Sequence, residues 1–277
     1  MAGLCRKEEQ VVPTITKIAA QKQAGRYNIY LDGQYAFPVA ESVLIKHRLL
    51  KGRVLDKAQI AQITTDDEIA KAYGAALDYL SYQLRTEHEV SQKLLGQGVP
   101  PAQIEVVCKK LRTEGLLDDR AYAAAFVRTV MKTELKGPAV IRQKLRAKRV
   151  GELEIDDALA QFTPAWQLTN ATKLATKLLT RYARQPARRQ REKVQLGLRT
   201  QGYESDVVAA ALAAAQPPAV SVDTTELLAQ EGEKIWQRYA RKASGYQLTM
   251  KVKQALFRKG FDYDEIEAWV NQQHPEA

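Results

Sequence analysis

Residues 179–203, LTRYARQPARRQREKVQLGLRTQGY, are echoed at 236–261 by WQRYARKASGYQLTMKVKQALFRKGF. Aligning the chain against itself extends the echo to four cores: QKLLGQGVPPAQI, QKLRAKRVGELEI, QLGLRTQGYESDV and QALFRKGFDYDEI. A fixed internal period constrains architecture more than any local propensity, because each unit must bury its apolar face against its neighbours. In every core a leucine (Leu94, Leu145, Leu198, Leu256) stands four residues before a pivot, which is Gly98, Arg149, Gly202 and Gly260 in turn. Ile104, Ile155, Val207 and Ile266 follow five or six residues later, and the pivots lie 51, 53 and 58 residues apart.

Each core follows an amphipathic stretch of its own: AYGAALDYLSYQL, DRAYAAAFVRTVMK, NATKLATKLLTRYAR and LAQEGEKIWQRYARK. One unit therefore reads helix, short loop, helix, glycine turn, helix. The glycine adopts the left-handed cap past the second helix at little cost, and the leucine one turn earlier faces the core. Glu204 with Asp206, and Asp262 with Asp264 and Glu265, fall where a third helix starts and favour its positive dipole end. Arg149 breaks the glycine pattern, which predicts that the second turn closes differently.

Before the repeats, RYNIYLDGQYAFPV alternates Tyr27, Ile29 and Leu31 with polar neighbours, turns at Asp32-Gly33, and resumes with Tyr35, Phe37 and Val39. That is a type I′ hairpin, with TITKIAA as a third strand and Pro38 marking an edge. ESVLIKHRLL predicts a short helix closed by Lys51-Gly52. Thr65-Asp66-Asp67-Glu68 has capping-box spacing ahead of the apolar face Ile69, Tyr73, Ala76, Leu77, Leu80 and Leu84. The expected organisation is mainly α: a small β-rich domain over 1–64, then helical repeats at 65–116, 117–163, 164–216 and 217–277, stacked as an elongated curved array.

Charge adds a functional direction. The chain of 277 residues carries a formal net charge of +10, which favours an anionic partner. Lys132–Arg149 is net +6, Lys173–Gly202 and Lys234–Lys259 are each +8, and Arg85–Arg112 is only +2. Stacked units would display these helices as one long basic surface; the alternative is that they are ordinary solvated faces.

Catalytic signatures are missing from the sequence: no GxxxxGK[ST], no HExxH, no GxSxG, and no Cys/His cluster. Asp118-Asp119 and Asp156-Asp157 are the paired acids that could hold Mg²⁺, but their expected position at helix starts favours capping. Cys108 reads as a buried reduced thiol, Cys5 lacks the preceding apolar run of a lipoprotein signal, and His47, His88 and His274 are scattered. No segment approaches a bilayer span. The expectation is a cytoplasmic, monomeric non-enzyme without cofactor or metal.

Residues 77–145 add specificity. LDYLSYQLRTEHEVSQKL, LRTEGLLDDRAYAAAFV and KGPAVIRQKL carry Leu80-Ser81-Tyr82 with Glu89 and Leu94, then Leu117-Asp118-Asp119 with Tyr122 and Ala123, then Lys136-Gly137-Pro138. In this order and spacing they resemble the RecX family of bacterial recombination regulators. The resemblance implies tandem three-helix modules without catalytic activity. Such proteins bind RecA filaments on DNA and hinder ATP hydrolysis, strand exchange and filament growth, in recombination, DNA repair and the SOS response. Three modules are usual in shorter members, so this chain adds a fourth and the β-rich start. Leu80, Tyr82, Asp118, Tyr122, Gly137 and Pro138 match the family pattern in structural roles, by capping and packing. Contacts to RecA or to DNA phosphates are expected from Arg142, Lys144, Arg146, Lys148 and Arg149, from Arg188, Arg189, Arg191, Lys193 and Arg199, and from Lys251, Lys253, Arg258 and Lys259. The competing readings are a direct DNA-binding protein of helix-turn-helix type, and a helical scaffold for another protein.

Overall fold

A computed structural model describes residues 12–216 and 224–274. Cys5 and the opening of the fourth repeat at 217 lie outside them. Three strands and thirteen helices occur among the described residues, and the chain divides into two compact units between Tyr122 and Ala123.

The first unit begins with β1 (Ile15–Ala20), β2 (Arg26–Leu31) and β3 (Gln34–Ala40), an antiparallel sheet in that order. Asp32 and Gly33 join β2 to β3 with φ of 48° and 87°, the two positive values a type I′ turn requires. Pro38 lies on the edge strand β3, as its missing N–H demands. Ile29, Phe37 and Val39 point into the core, but Tyr35 does not. A register shift at Ile29/Tyr30 sets Tyr35 opposite Tyr30 on the solvent side, their rings edge to face at 6.0 Å.

Helix α1 (Glu41–Lys46) is shorter than the sequence suggested and does not reach Gly52. Arg48 takes the left-handed conformation at φ 47°, and the Leu49 amide closes onto the Leu44 carbonyl at 2.9 Å. Gly52 belongs to a separate turn whose N–H donates to Ile15.

The expected boundary at 64/65 falls inside a helix, α2 (Lys57–Tyr82). Its capping box is Asp56 with Gln59, and Thr65–Glu68 caps nothing. Asp66 and Asp67 instead face inward from the helix middle. Asp67 accepts two bonds from Arg26 (2.9 and 3.0 Å) and one from the Ala40 amide (2.7 Å), while Asp66 meets His47 and Lys46 at 2.6 and 2.8 Å. The first half of α2 thus completes the sheet's core through Ile63, and the second half supplies Ala72 and Ala76 to the first repeat. At roughly 1.5 Å per residue a helix of this length serves two cores without a break.

That first repeat continues with α3 (Glu87–Leu95) and α4 (Pro101–Thr113), packed around Val90, Leu94, Ile104, Val107, Cys108 and Leu111. Leu80 packs against this cluster. Tyr82 does not: it ends α2 with 84% exposure, and Leu84 is also exposed beyond the helix end, so neither has the core role the pattern gave it.

The second repeat is α5 (Asp119–Thr133), which spans the division between units, with α6 (Pro138–Ala147) and α7 (Glu152–Leu159). The third is α8 (Pro164–Arg181), α9 (Ala187–Thr200) and α10 (Ser205–Ala214). The fourth is α11 (Thr224–Ala240), α12 (Gly245–Lys259) and α13 (Tyr263–Gln273). Among the described residues no helix is long and apolar enough to cross a membrane.

The four pivots form one turn, and Arg149 is no exception. Gly98, Arg149, Gly202 and Gly260 have φ of 82°, 60°, 90° and 96°. The next amides, of Val99, Val150, Tyr203 and Phe261, each donate to the carbonyl of the repeat's leucine, at 3.2, 3.2, 3.3 and 3.4 Å. All four leucines are fully buried. In the third repeat the buried aliphatic residue after the turn is Val208 rather than Val207, which restores an offset of six throughout.

Candidate functional site

Within the second unit, one contact between repeats recurs. The start of α6 lies on the turn of the third repeat: Gly137 N–H donates to Gln201 O (2.7 Å), Ala139 N–H to Gly202 O (3.2 Å), and Lys136 Nζ to Gln201 Oε1 (2.6 Å). The start of α9 lies likewise on the turn of the fourth, where the Arg189 guanidinium donates to Arg258 O (2.8 Å). A methyl on Gly202 would come within 2.6 Å of the Val140 nitrogen, and one on Gly260 within 2.4 Å of Arg189 Cγ. A methyl on Gly98 would meet nothing within 4 Å. Gly137, with Pro138 as the first residue of α6, therefore positions one repeat against the next.

Asp118 caps α5, accepting from the Ala121 amide (2.9 Å), and Tyr122 follows half-buried on the same helix. Asp119 reaches instead to the first amide of α3, at Glu87 (2.8 Å). Asp156 and Asp157 lie beyond the first turn of α7, so they are not the helix-start pair expected; Asp156 pairs with Arg142 at 2.5 Å. Among the described residues no group of three or more His, Cys, Asp or Glu is placed to hold a metal ion. Cys108 is a buried free thiol whose pKa burial pushes up, as expected of a structural cysteine.

The basic residues fall into two sets. In the second repeat they are largely neutralised at home: Arg142 pairs with Glu152 and Asp156, Arg146 with Glu152 (2.6 Å), and Lys144 with Glu134 (2.9 Å). The Arg146 guanidinium beside Glu152 holds that carboxyl below its ordinary value, and Glu152 raises Arg146 in return. Lys148 is half-buried, and Arg149 is exposed in its turn.

In the third and fourth repeats several are spent on the fold. Arg189 anchors the fourth turn, Arg188 lies over the exposed ring of Phe257 (4.8 Å to the centroid), and Lys193 meets Gln185 and the Tyr182 ring. Lys253 pairs with Glu267 at 2.9 Å, and Lys259 with Glu231, whose carboxyl it and Lys234 hold below the usual range. Arg191, Arg199, Lys251 and Arg258 are exposed, and their side chains have no ion pair among the described residues. Of the candidate contacts on α9 and α12, these four are the ones whose charge is not already engaged within the fold.

One arrangement was not read from the sequence. Arg184, just past α8, joins Arg189, Lys193, Arg258, Lys259 and Glu231 around a cleft of about 500 Å³ at the start of α9. Arg184 closes the repeated RYAR of residues 181–184, so the signal was present, but only the fold shows which cations converge.

Comparison with known proteins agrees with this architecture. A family model described as the regulatory protein RecX N-terminal domain matches residues 13–56, and those described as the first, second and third RecX three-helix domains match 72–111, 118–159 and 222–270. Helices α8 to α10 lie between the last two matches. The chain is 53% identical over 94% of its length to a regulatory protein RecX of Limosilactobacillus reuteri, covering 98% of that protein. It is 38% identical to the regulatory protein RecX of Bacillus subtilis over 95% of this chain and 99% of that one. A crystal structure of regulatory protein RecX superposes with a TM-score of 0.68 at 57% identity, covering 72% of this chain and 98% of that one. A second, of RecX from Lactobacillus salivarius, gives 0.51 at 37% identity, covering 53% and 96%.

Proposed function

The chain belongs to the RecX family and has a regulatory role, and from that premise we propose that it binds RecA on DNA and restrains ATP hydrolysis and strand exchange. The supporting observation is the set of four unpaired cations, Arg191, Arg199, Lys251 and Arg258, held on two neighbouring helices of one compact unit. Rigid presentation matters because long-range attraction raises encounter rates, while only charges without an internal partner gain fully from a new one. On this reading the protein acts in the cytoplasm as a monomer, without cofactor or catalysis of its own, and the repeats provide positions along a periodic filament. Arg142, Lys144 and Arg146 of the second repeat are secondary contacts, since their carboxylate partners must first be released.

The test is ATP hydrolysis by RecA on preformed single-stranded DNA filaments, titrated with this protein at fixed salt. Inhibition is expected well below the concentration that coats bare DNA. Unchanged hydrolysis throughout the titration refutes the proposal.

A further inference from the structure

Two of the four turns are seats. The third receives the start of α6 and the fourth the start of α9, and Gly202 and Gly260 are accordingly buried. Each seat needs a glycine, because a side-chain carbon would strike the Val140 nitrogen in one and Arg189 Cγ in the other. Arg149 puts a side chain at that position, so the second turn is not a seat of this kind. The first turn has every feature of one. It repeats the Gln-Gly pair of the third, Gln97-Gly98 for Gln201-Gly202, and closes on Leu94 through the same backbone bond. Yet Gln97 and Gly98 are both exposed, and a methyl on Gly98 would meet nothing within 4 Å. With Val99 and with Ala72 and Ala75 of α2, this turn lines an open groove of about 470 Å³.

The matching half is open as well. What enters a seat is the start of the preceding repeat's second helix, and no helix follows α13 among the described residues to receive the start of α12. Ser244, Gly245, Tyr246 and Gln247 there are all exposed, Tyr246 by 77%. Like α6 and α9, and unlike α3 with its Thr86–Glu89 box, α12 has no side-chain cap, so its first amides are left for an acceptor outside the helix. Charge agrees with the match. Arg241 and Lys242 lead into α12, exposed and without an ion pair among the described residues. Glu68, on the wall of the first turn's groove, is exposed and also without one, accepting only from Gln103 at 2.7 Å. The cation of that groove, Lys71, is held by Asp67 at 3.3 Å. A foreign helix could offer amides, but this chain carries the complementary half itself.

We propose that the first turn of one copy receives the start of α12 from a second copy, as the third turn receives α6: amides of α12 on the carbonyls of Gln97 and Gly98, with Lys242 beside Gln97 and Glu68. The contact is head to tail and leaves each copy one free half, so it adds copies in line instead of closing a symmetric pair. A few hydrogen bonds and a small groove hold it weakly, and the dilute chain stays a monomer. The contact goes beyond the filament reading and does not require it, but it gives that reading a consequence. Copies bound at a regular spacing meet at high effective concentration and occupy a filament in runs.

The experiment is sedimentation velocity of the full chain, without recombinase or nucleic acid, from about 10 μM to about 1 mM, a range that reaches even a millimolar dissociation constant. The mass should rise with concentration beyond that of a pair. Gly98→Ala, whose methyl would strike a seated helix, should weaken association at least about tenfold, as the loss of two hydrogen bonds would. Tyr246→Glu should do the same from the other side: its carboxylate opposes the turn's carbonyl oxygens, while a negative charge at a helix start favours the fold. At a concentration where the wild type grows, neither variant alone should. Their equimolar mixture should give one mixed pair and nothing longer, because each supplies the half that the other lacks. A monomer at every concentration overturns the proposal. So does association that either variant leaves unchanged, growth of the wild type that stops at a pair, or a mixture as monomeric as its components. If the chain stays monomeric while RecA hydrolysis is still inhibited, the contact falls and the filament reading stands.

Discussion

If the pivot glycines at 202 and 260 are required by the neighbouring repeat rather than by φ alone, the four turns must respond unequally to one substitution. Gly98→Ala places a methyl in open space at φ 82°, so its cost is the left-handed conformation alone, about 1–2 kcal/mol. Gly202→Ala incurs the same conformational cost and also drives its methyl to 2.6 Å from the Val140 nitrogen and 3.0 Å from Val140 Cγ2. Backbone must then move, and the bonds from Gly137 and Ala139 onto this turn are the ones at risk. At about 1 kcal/mol net for each, the total reaches roughly 3–4 kcal/mol. Arg149→Gly is the converse: it relieves the left-handed cost and gives back somewhat less as unfolded-chain entropy, for a net gain of up to about 1 kcal/mol. Denaturant unfolding ranks the three variants, and hydrogen exchange with mass spectrometry reads the Gly137–Ala139 segment directly. Gly202→Ala should speed exchange there by about 100-fold, from roughly 3 kcal/mol at tenfold per 1.4 kcal/mol. Gly98→Ala should leave that segment untouched. Equal destabilisation by Gly98→Ala and Gly202→Ala would refute the seating argument and reduce the glycines to ordinary helix caps.

Asp67→Ala should cost about 3–5 kcal/mol within the N-terminal sheet, because it strands the Arg26 guanidinium, only 13% exposed, and frees the Ala40 amide; unchanged proteolytic resistance of β2 and β3 would count against it. Asp66 carries the acid sensitivity of the same region. Burial raises its pKa, but the hydrogen bonds and charges of Lys46 and His47 outweigh burial and leave it below 3.8. The folded state therefore binds fewer protons than the unfolded one in that window, so this stabilisation is complete above the unfolded value and disappears as pH falls through the lower folded one. Asp66→Asn should flatten that acid limb in pH-dependent unfolding; a limb of the same steepness would place the sensitivity elsewhere. Combined reversal of Arg191, Arg199 and Lys251 to Glu should weaken RecA-filament binding by about tenfold or more at physiological salt and leave unfolding unchanged. Full retention of affinity would move the interface off these helices.

The repeat was legible because one mechanism writes its letters at every unit: a buried leucine, a left-handed turn, a buried aliphatic six residues on. The hairpin was legible for a similar reason, since Asp32-Gly33 supplies both positive φ values locally. What escaped was set by partners distant in sequence. Thr65–Glu68 has the spacing of a cap, yet Asp66 and Asp67 turn inward because Arg26, Lys46 and His47 arrive from the sheet and α1. Arg149 predicts a different closure because its residue type is unusual there, whereas the turn's hydrogen bonds are backbone ones and tolerate a side chain at modest cost. Tyr82 matched a pattern and lies in solvent. A count of basic residues weighted the second repeat like the third, because sequence does not show that Glu134, Glu152 and Asp156 already occupy its arginines and lysine.

The same geometry suggests why the free charge lies where it does. In the second unit the start of a repeat's second helix is used to seat that repeat on the next one, so residues there are committed to the fold: Gly137 at α6, and Arg189 at α9. Later positions on the second helix that face neither the core nor a neighbour are not committed in this way, and Arg191, Arg199 and Lys251 occupy them, exposed. Arg189 is therefore a poor probe of binding despite its charge. Reversing it would break the bond to the Arg258 carbonyl and set a carboxylate against that oxygen, mixing loss of fold with loss of partner. A charge scan that omits Arg189 separates the two causes; one that includes it does not.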